Sequence, residues 1–172
     1  MRAELADAVA GLFSAGLGTP RELDETDEAH LIGLATLVAR CRSAVERDTY
    51  STREIELVPA PEQPARLALT LERLLAGLDA LGCDRQLAWT VVGRAALDSM
   101  PALRRAIVDV LVDADEPLTT TQVGEAIRHP TTTARRALED LTAHDVVDRH
   151  IQGEGRADVW VASEWLCQRW PR

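Results

Sequence analysis

One residue, Pro130, divides the C-terminal half of this chain into two helices. Proline disfavours helical backbone at the residue before it, so a helix entering Arg128-His129 must stop there. Upstream, Thr119-Thr120-Thr121-Gln122 carries the Thr-x-x-Gln pattern of a capping box, with Thr119 as N-cap. The helix between these two signals is therefore short, with Val123, Ala126 and Ile127 on its buried side. Downstream, Ala134, Ala137, Leu138 and Leu141 recur at helical spacing, and Thr131 is expected to cap that longer helix. The small Ala134 and Ala137 allow it to approach its neighbour closely. Earlier still, Pro101 suits the first turn of a helix whose face is Leu103, Ile107, Val110 and Leu111. Polar residues 113–117 end that helix. After the long helix, residues 145–151 read as a strand, 152–156 as a glycine-rich turn and 157–161 as a returning strand. Trp160 and Trp165 are expected to pack this hairpin and a last helix onto the core.

This order resembles the winged helix-turn-helix domain of bacterial transcriptional regulators. The residues that carry the resemblance are LTTTQVGEAIRHPTTTARRALEDLTAHDVVDR and the glycine-flanked hairpin behind them. The expected fold is mainly α with a small β-wing. An N-terminal helical bundle (residues 1–99) would serve as a dimerisation or lid-like module, and a winged helix-turn-helix domain would span residues 100–172. The resemblance implies double-stranded DNA as the partner and transcriptional regulation as the role. The helix starting near Thr131 would enter the major groove, and two copies would pair through the N-terminal helices.

In such domains the first residues of the second helix meet base edges. Arginine pairs bidentately with guanine, and threonine meets a thymine methyl or a phosphate. Thr131, Thr132, Thr133, Arg135 and Arg136 are therefore the candidate DNA contacts on the helix. Arg156, in the turn of the hairpin, is the candidate contact from the wing, although Glu154 stands close by. A plainer reading sits beside each: two arginines on a helix also serve as a solvated face. One departure from the pattern is Asp145, where glycine is usual after the recognition helix. Aspartate tolerates left-handed backbone better than most residues, so the fold is not threatened.

Charge argues the other way. The chain of 172 residues carries a formal charge of −9. Residues 1–100 account for −6 (10 Arg, 16 acids) and the remainder for −3 (9 Arg, 12 acids). Nucleic-acid binders are more often basic, because phosphate neutralisation dominates their affinity. Local clustering matters more than the sum. The DNA reading therefore requires the threonine-arginine shoulder to face outward with positive potential. Failing that, an acidic winged helix suits a protein-interaction module.

An enzyme is not expected. Glu139 and Asp140 are neighbours on a helix and point apart. The phrase GLFSAGLGT at residues 11–19 lacks the lysine a phosphate loop needs, and the chain has no lysine at all. The four histidines and three cysteines show no metal spacing, so neither metal nor cofactor is expected. Unpaired cysteines, no signal-peptide pattern after Met1-Arg2 and no membrane-length apolar run point to a cytoplasmic setting. Arginine without lysine, with abundant alanine, fits a GC-rich genome such as an actinobacterium's.

In the N-terminal half, Leu5, Val9, Leu12 and Phe13 mark a short amphipathic helix, stopped by residues 16–20. A long helix over residues 25–47 would bury Leu31, Leu34, Val38, Cys41 and Val45. Arg40, Arg42 and Arg47 would lie near its C-terminal end, where cations are favoured. Residues 48–51 read as a loop and 53–58 as a strand or extended segment. Pro59, Pro61 and Pro64 then impose an extended link. From Ala65 a second helix carries Leu67, Leu71, Leu74, Leu75 and Leu78 to Gly82. A third, over residues 84–97, would bury Leu87, Val91 and Ala95. The segment ARCRSAVERDTYSTREIELVPAPEQPARL, together with the winged helix, is similar to the C-terminal end of actinobacterial P-loop ATPases. That likeness implies a fragment of a DNA-processing ATPase without its nucleotide core. The lid arginines Arg40, Arg42 and Arg53 would then have no nucleotide to meet.

Overall fold

The computed structural model describes residues 2–14, 16–48, 53–153 and 155–171. The first helix, α1 (Arg2–Ser14), forms as the spacing predicts but buries nothing. Leu5, Val9, Leu12 and Phe13 are all exposed.

Asp24 starts α2 (Glu25–Arg42) by accepting the Asp27 N–H at 2.8 Å, and the acids of the first turn suit the helix dipole. Leu31, Leu34, Val38 and Cys41 are buried as expected, and Leu37 joins them. The helix stops short of the expected end. Ser43 turns extended, its hydroxyl donating to the Ala39 carbonyl at 2.8 Å. The chain then forms β1 (Glu46–Arg47), antiparallel to β2 (Ile55–Leu57). Val45 is accordingly only half-buried. Of the expected loop over residues 48–51, residues 49–51 lie outside the described residues.

The next two helices, α3 (Ala65–Ala80) and α4 (Arg85–Asp98), pack against α2. Leu71 and Leu75 are buried, with Leu67, Leu74 and Leu78 half-buried around them. Gly82 takes φ 73°, the left-handed conformation expected after a helix end. Asp84 caps α4 by accepting the N–H groups of Gln86 and Leu87. The buried face of α4 differs from the expected one. Ala88, Val92, Ala96 and Leu97 are buried, whereas Leu87, Val91 and Ala95 face solvent. Arg85 ties the three helices together, donating to Asp27 and Asp79 at 2.5 Å each.

The remaining elements are α5 (Ala102–Val112), β3 (Leu118–Thr119), α6 (Thr120–Ala126), α7 (Thr131–Ala143), β4 (Val147–His150), β5 (Val159–Ala162) and α8 (Glu164–Cys167). The strands form an antiparallel sheet in the order β3-β5-β4, with Leu118 opposite Trp160 and Val147 opposite Ala162. β3 has no counterpart in the sequence reading. The capping box at the start of α6 is complete, with Thr119 and Gln122 bonded reciprocally. Trp160 is 1% exposed, and its indole N–H donates to Thr120 Oγ1 at 2.9 Å, which ties β5 to α6. One continuous hydrophobic cluster runs from Leu31 to Leu166 and joins both halves of the chain. Among the described residues, no helix is long and apolar enough to cross a membrane.

Candidate nucleic-acid interface

The turn between α6 and α7 depends on Gly124. A Cβ there would meet the His129 carbonyl oxygen at 3.1 Å and the Thr131 Cα at 3.5 Å. Arg128 takes φ 57° and His129 N–H donates to the Gly124 carbonyl at 2.9 Å, which reverses the chain. The cap of α7 is Pro130 rather than Thr131. Pro130 keeps an extended ψ of 140°, and its carbonyl accepts the N–H groups of Thr133 and Ala134 at 2.9 and 3.0 Å. Proline brings no side-chain acceptor, so no side chain caps this helix. That leaves the N–H groups of Thr131 and Thr132, two exposed residues, without an acceptor among the described residues, and such groups suit an anion.

Burial of Ala134, Ala137, Leu138 and Leu141 fixes the rotation of α7. Thr131, Thr132, Arg135 and Arg136 are thereby exposed, and Thr133 is half-buried. The two arginines differ in their company. Arg135 Nε donates to Glu139 Oε1 at 3.0 Å, leaving the terminal Nη edge outside that bond. Arg136 has no acidic partner among the described residues, while its carbonyl accepts from Arg47 Nη2 at 3.2 Å.

The acids of α7 are matched by arginines from the N-terminal half and from α5. Arg47, on β1, donates to Glu139 at 2.9 Å and to Asp140 at 2.6 Å. Arg104, on α5, donates to Asp140 at 2.8 Å and to the carbonyls of Cys41 and Ser43. Partial burial pushes the Glu139 carboxyl up, but hydrogen bonds and charge from Arg135 and Arg47 outweigh it. The net effect holds that carboxyl below the usual range. The sequence reading missed this network, because Arg47 is 92 residues from Glu139 and nothing local links them.

Beyond α7, Asp145 adopts φ 58°, the left-handed conformation expected of it. Arg40 donates to the His144 carbonyl at 3.1 Å and so anchors this junction to α2. At the hairpin tip, Gly153 and Gly155 have φ of 87° and 78°. Arg156 is exposed there, its N–H donating to the Gly153 carbonyl at 3.2 Å. Glu154 lies outside the described residues. Arg149, further down the hairpin, is paired with Asp158.

No group of histidine, cysteine or acid side chains among the described residues is placed to hold a metal ion. The three cysteines are free thiols, and burial pushes Cys41 up to about 12 against the opposing charge of Arg104. Compared with family models, with curated proteins and with solved structures, the chain matches none.

Proposed function

We propose that residues 100–172 form a winged helix-turn-helix and that the chain binds double-stranded DNA as a transcriptional regulator, with α7 in the major groove. The element order α5-β3-α6-α7-β4-β5 and the sheet order β3-β5-β4 support the winged-helix reading. One observation carries the DNA reading. The N-terminus of α7, which has no side-chain cap, carries exposed Thr131, Thr132, Arg135 and Arg136, and the acids further along the helix are engaged by Arg47 and Arg104. Open N–H groups and threonine hydroxyls hold a phosphate and set the register. Arg136 extends to a base edge, and Arg135 offers its Nη edge. Arg156 reaches the backbone from the hairpin tip. Thr133, half-buried, supports the turn more than the contact.

The acid excess lowers affinity for each copy, and pairing offsets it by doubling the contacts. Two copies joined through residues 1–99 would place their α7 helices about 34 Å apart, one duplex turn. The exposed apolar residues of α1, together with Leu69 on α3, supply surface for that pairing. Light scattering on the purified chain reads its mass directly.

The net charge of −9 favours a second reading, in which the same face docks a protein. Fluorescence anisotropy with a random-sequence duplex at low salt separates the two. The expected result is binding that falls about tenfold or more in the Arg135→Ala/Arg136→Ala double variant. Thr132→Glu, which sets a carboxylate against phosphate, weakens it further. Equal binding by wild type and both variants removes α7 from the interface. Absence of binding by the wild type leaves the protein-docking reading.

A further inference from the structure

We propose that the face built by α2, α4 and the C-terminal tail binds a small planar aromatic anion. Aromatic residues are scarce in this chain, which has four tryptophans, one tyrosine and one phenylalanine. Three of the four tryptophans nevertheless gather here: Trp89 from α4, Trp165 from α8 and Trp170 from the tail. They line two adjoining recesses of about 580 and 460 Å³ that share His30 and Trp170 as a common wall. Each recess is of the size that takes a mononucleotide or a smaller ring compound.

The charge of the lining is the second observation. The chain carries 28 acids, yet among the described residues no Asp or Glu lines either recess. Arg94, Arg105 and Arg169 do. Arg105 is occupied by Asp98 and Asp109. Arg94 and Arg169 have no acidic partner among the described residues, and Arg94 is exposed. Guanidiniums without a carboxylate partner beside the Trp89 and Trp170 rings, in a chain of −9, select a ligand with a π-face and a negative group.

The site is also shaped in advance. His30 stacks on Trp89 with ring centroids 4.5 Å apart and planes 20° from parallel. Pro171 seats the tail on α4, so close to Gly93 that a Cβ there would lie 3.2 Å from its ring. Trp165 receives the guanidiniums of both Arg40 and Arg169, at 4.2 and 4.6 Å from its centroid. Arg40 is the same residue that holds the His144 carbonyl at the end of α7. A ligand in the recess that Trp165 lines would therefore sit one side chain away from that helix. Binding here does not depend on whether α7 enters DNA.

Calorimetry and tryptophan fluorescence on the full chain test the proposal. Adenosine monophosphate and salicylate are the ring-plus-anion probes, one a phosphate and one a carboxylate; adenosine and inorganic phosphate are the half-probes. The expected result is saturable binding of at least one ring anion, about tenfold or more tighter than its half-probe. Arg94→Ala and Arg169→Ala should each weaken it about tenfold, and Trp89→Leu should weaken it too. Arg21→Ala, outside the cleft, should leave it unchanged, and circular dichroism checks that every variant folds. Failure of both ring anions to bind up to about 10 mM overturns the proposal. So does binding that is indifferent to the cleft variants. An oligoadenylate strand that binds where adenosine monophosphate does not would also overturn it, making the face a nucleic-acid track.

Discussion

Replacing Arg47 with alanine should cost about 2 kcal/mol of stability, a figure that lies between two limits. The side chain is only 18% exposed and its carboxylate partners, Glu139 and Asp140, are 22% and 18% exposed. An exposed ion pair contributes roughly 0–1 kcal/mol, whereas orphaning a fully buried charge costs roughly 3–5 kcal/mol. Here neither acid is orphaned: Glu139 keeps Arg135 and Asp140 keeps Arg104. What is lost is two charge-assisted hydrogen bonds and two bonds to the carbonyls of Arg53 and Arg136. For a chain of this size the melting temperature should fall by about 4–8 °C. Urea unfolding followed by circular dichroism gives the free energy. A double-mutant cycle with Asp140→Asn should return a coupling of about 1 kcal/mol or more. A loss below about 0.5 kcal/mol, with the two substitutions additive, would refute the idea that Arg47 fastens β1 to α7.

Gly124→Ala should destabilise by about 1–3 kcal/mol in the same assay, because its new methyl meets backbone and no flexible side chain can yield. Thr119→Ala removes the hydroxyl that accepts the Gln122 N–H, leaving the Thr119 N–H on Gln122 Oε1, and should cost about 1 kcal/mol. Thiol labelling of the native protein should modify exposed Cys167 readily, while buried Cys41, pushed up to about 12, reacts only after unfolding. Glu139 is held below its usual value in the folded state, so the stability it contributes is present above the unfolded-state value. That contribution is lost as pH falls through the folded one. Glu139→Gln should accordingly flatten the acid limb of the melting temperature against pH.

Features written in local chemistry were legible in the sequence. The Thr119–Gln122 capping box, the inner stripe of α7, the left-handed Asp145 and the buried Trp160 each follow from residues near in sequence. The face of α4 was not legible. It carries apolar residues on two adjacent stripes, Leu87-Val91-Ala95 and Ala88-Val92-Ala96, and only contact with α2 and α3 selects the second. β1 and β3 are two residues each, too short to show alternation, and exist because a partner strand pairs with them. The outward shoulder of α7 was visible, but its electrostatic state was not, since Arg47 and Arg104 arrive from distant segments. The same holds for the tryptophan cleft, whose rings come from α4, α8 and the tail.

The role of α7 is tested most directly by the salt dependence of duplex affinity in wild type and in the Arg136→Ala variant. Each phosphate neutralised on binding contributes about −0.9 to the slope of log K against log salt concentration. If Arg136 reads a base edge, its loss should weaken affinity for a selected site while leaving that slope nearly unchanged; if it grips phosphate, the slope should become shallower by about one. Either result places the side chain in the DNA. Identical affinities and identical slopes for the two proteins, or no duplex binding at low salt by either, would contradict an α7 that enters the major groove.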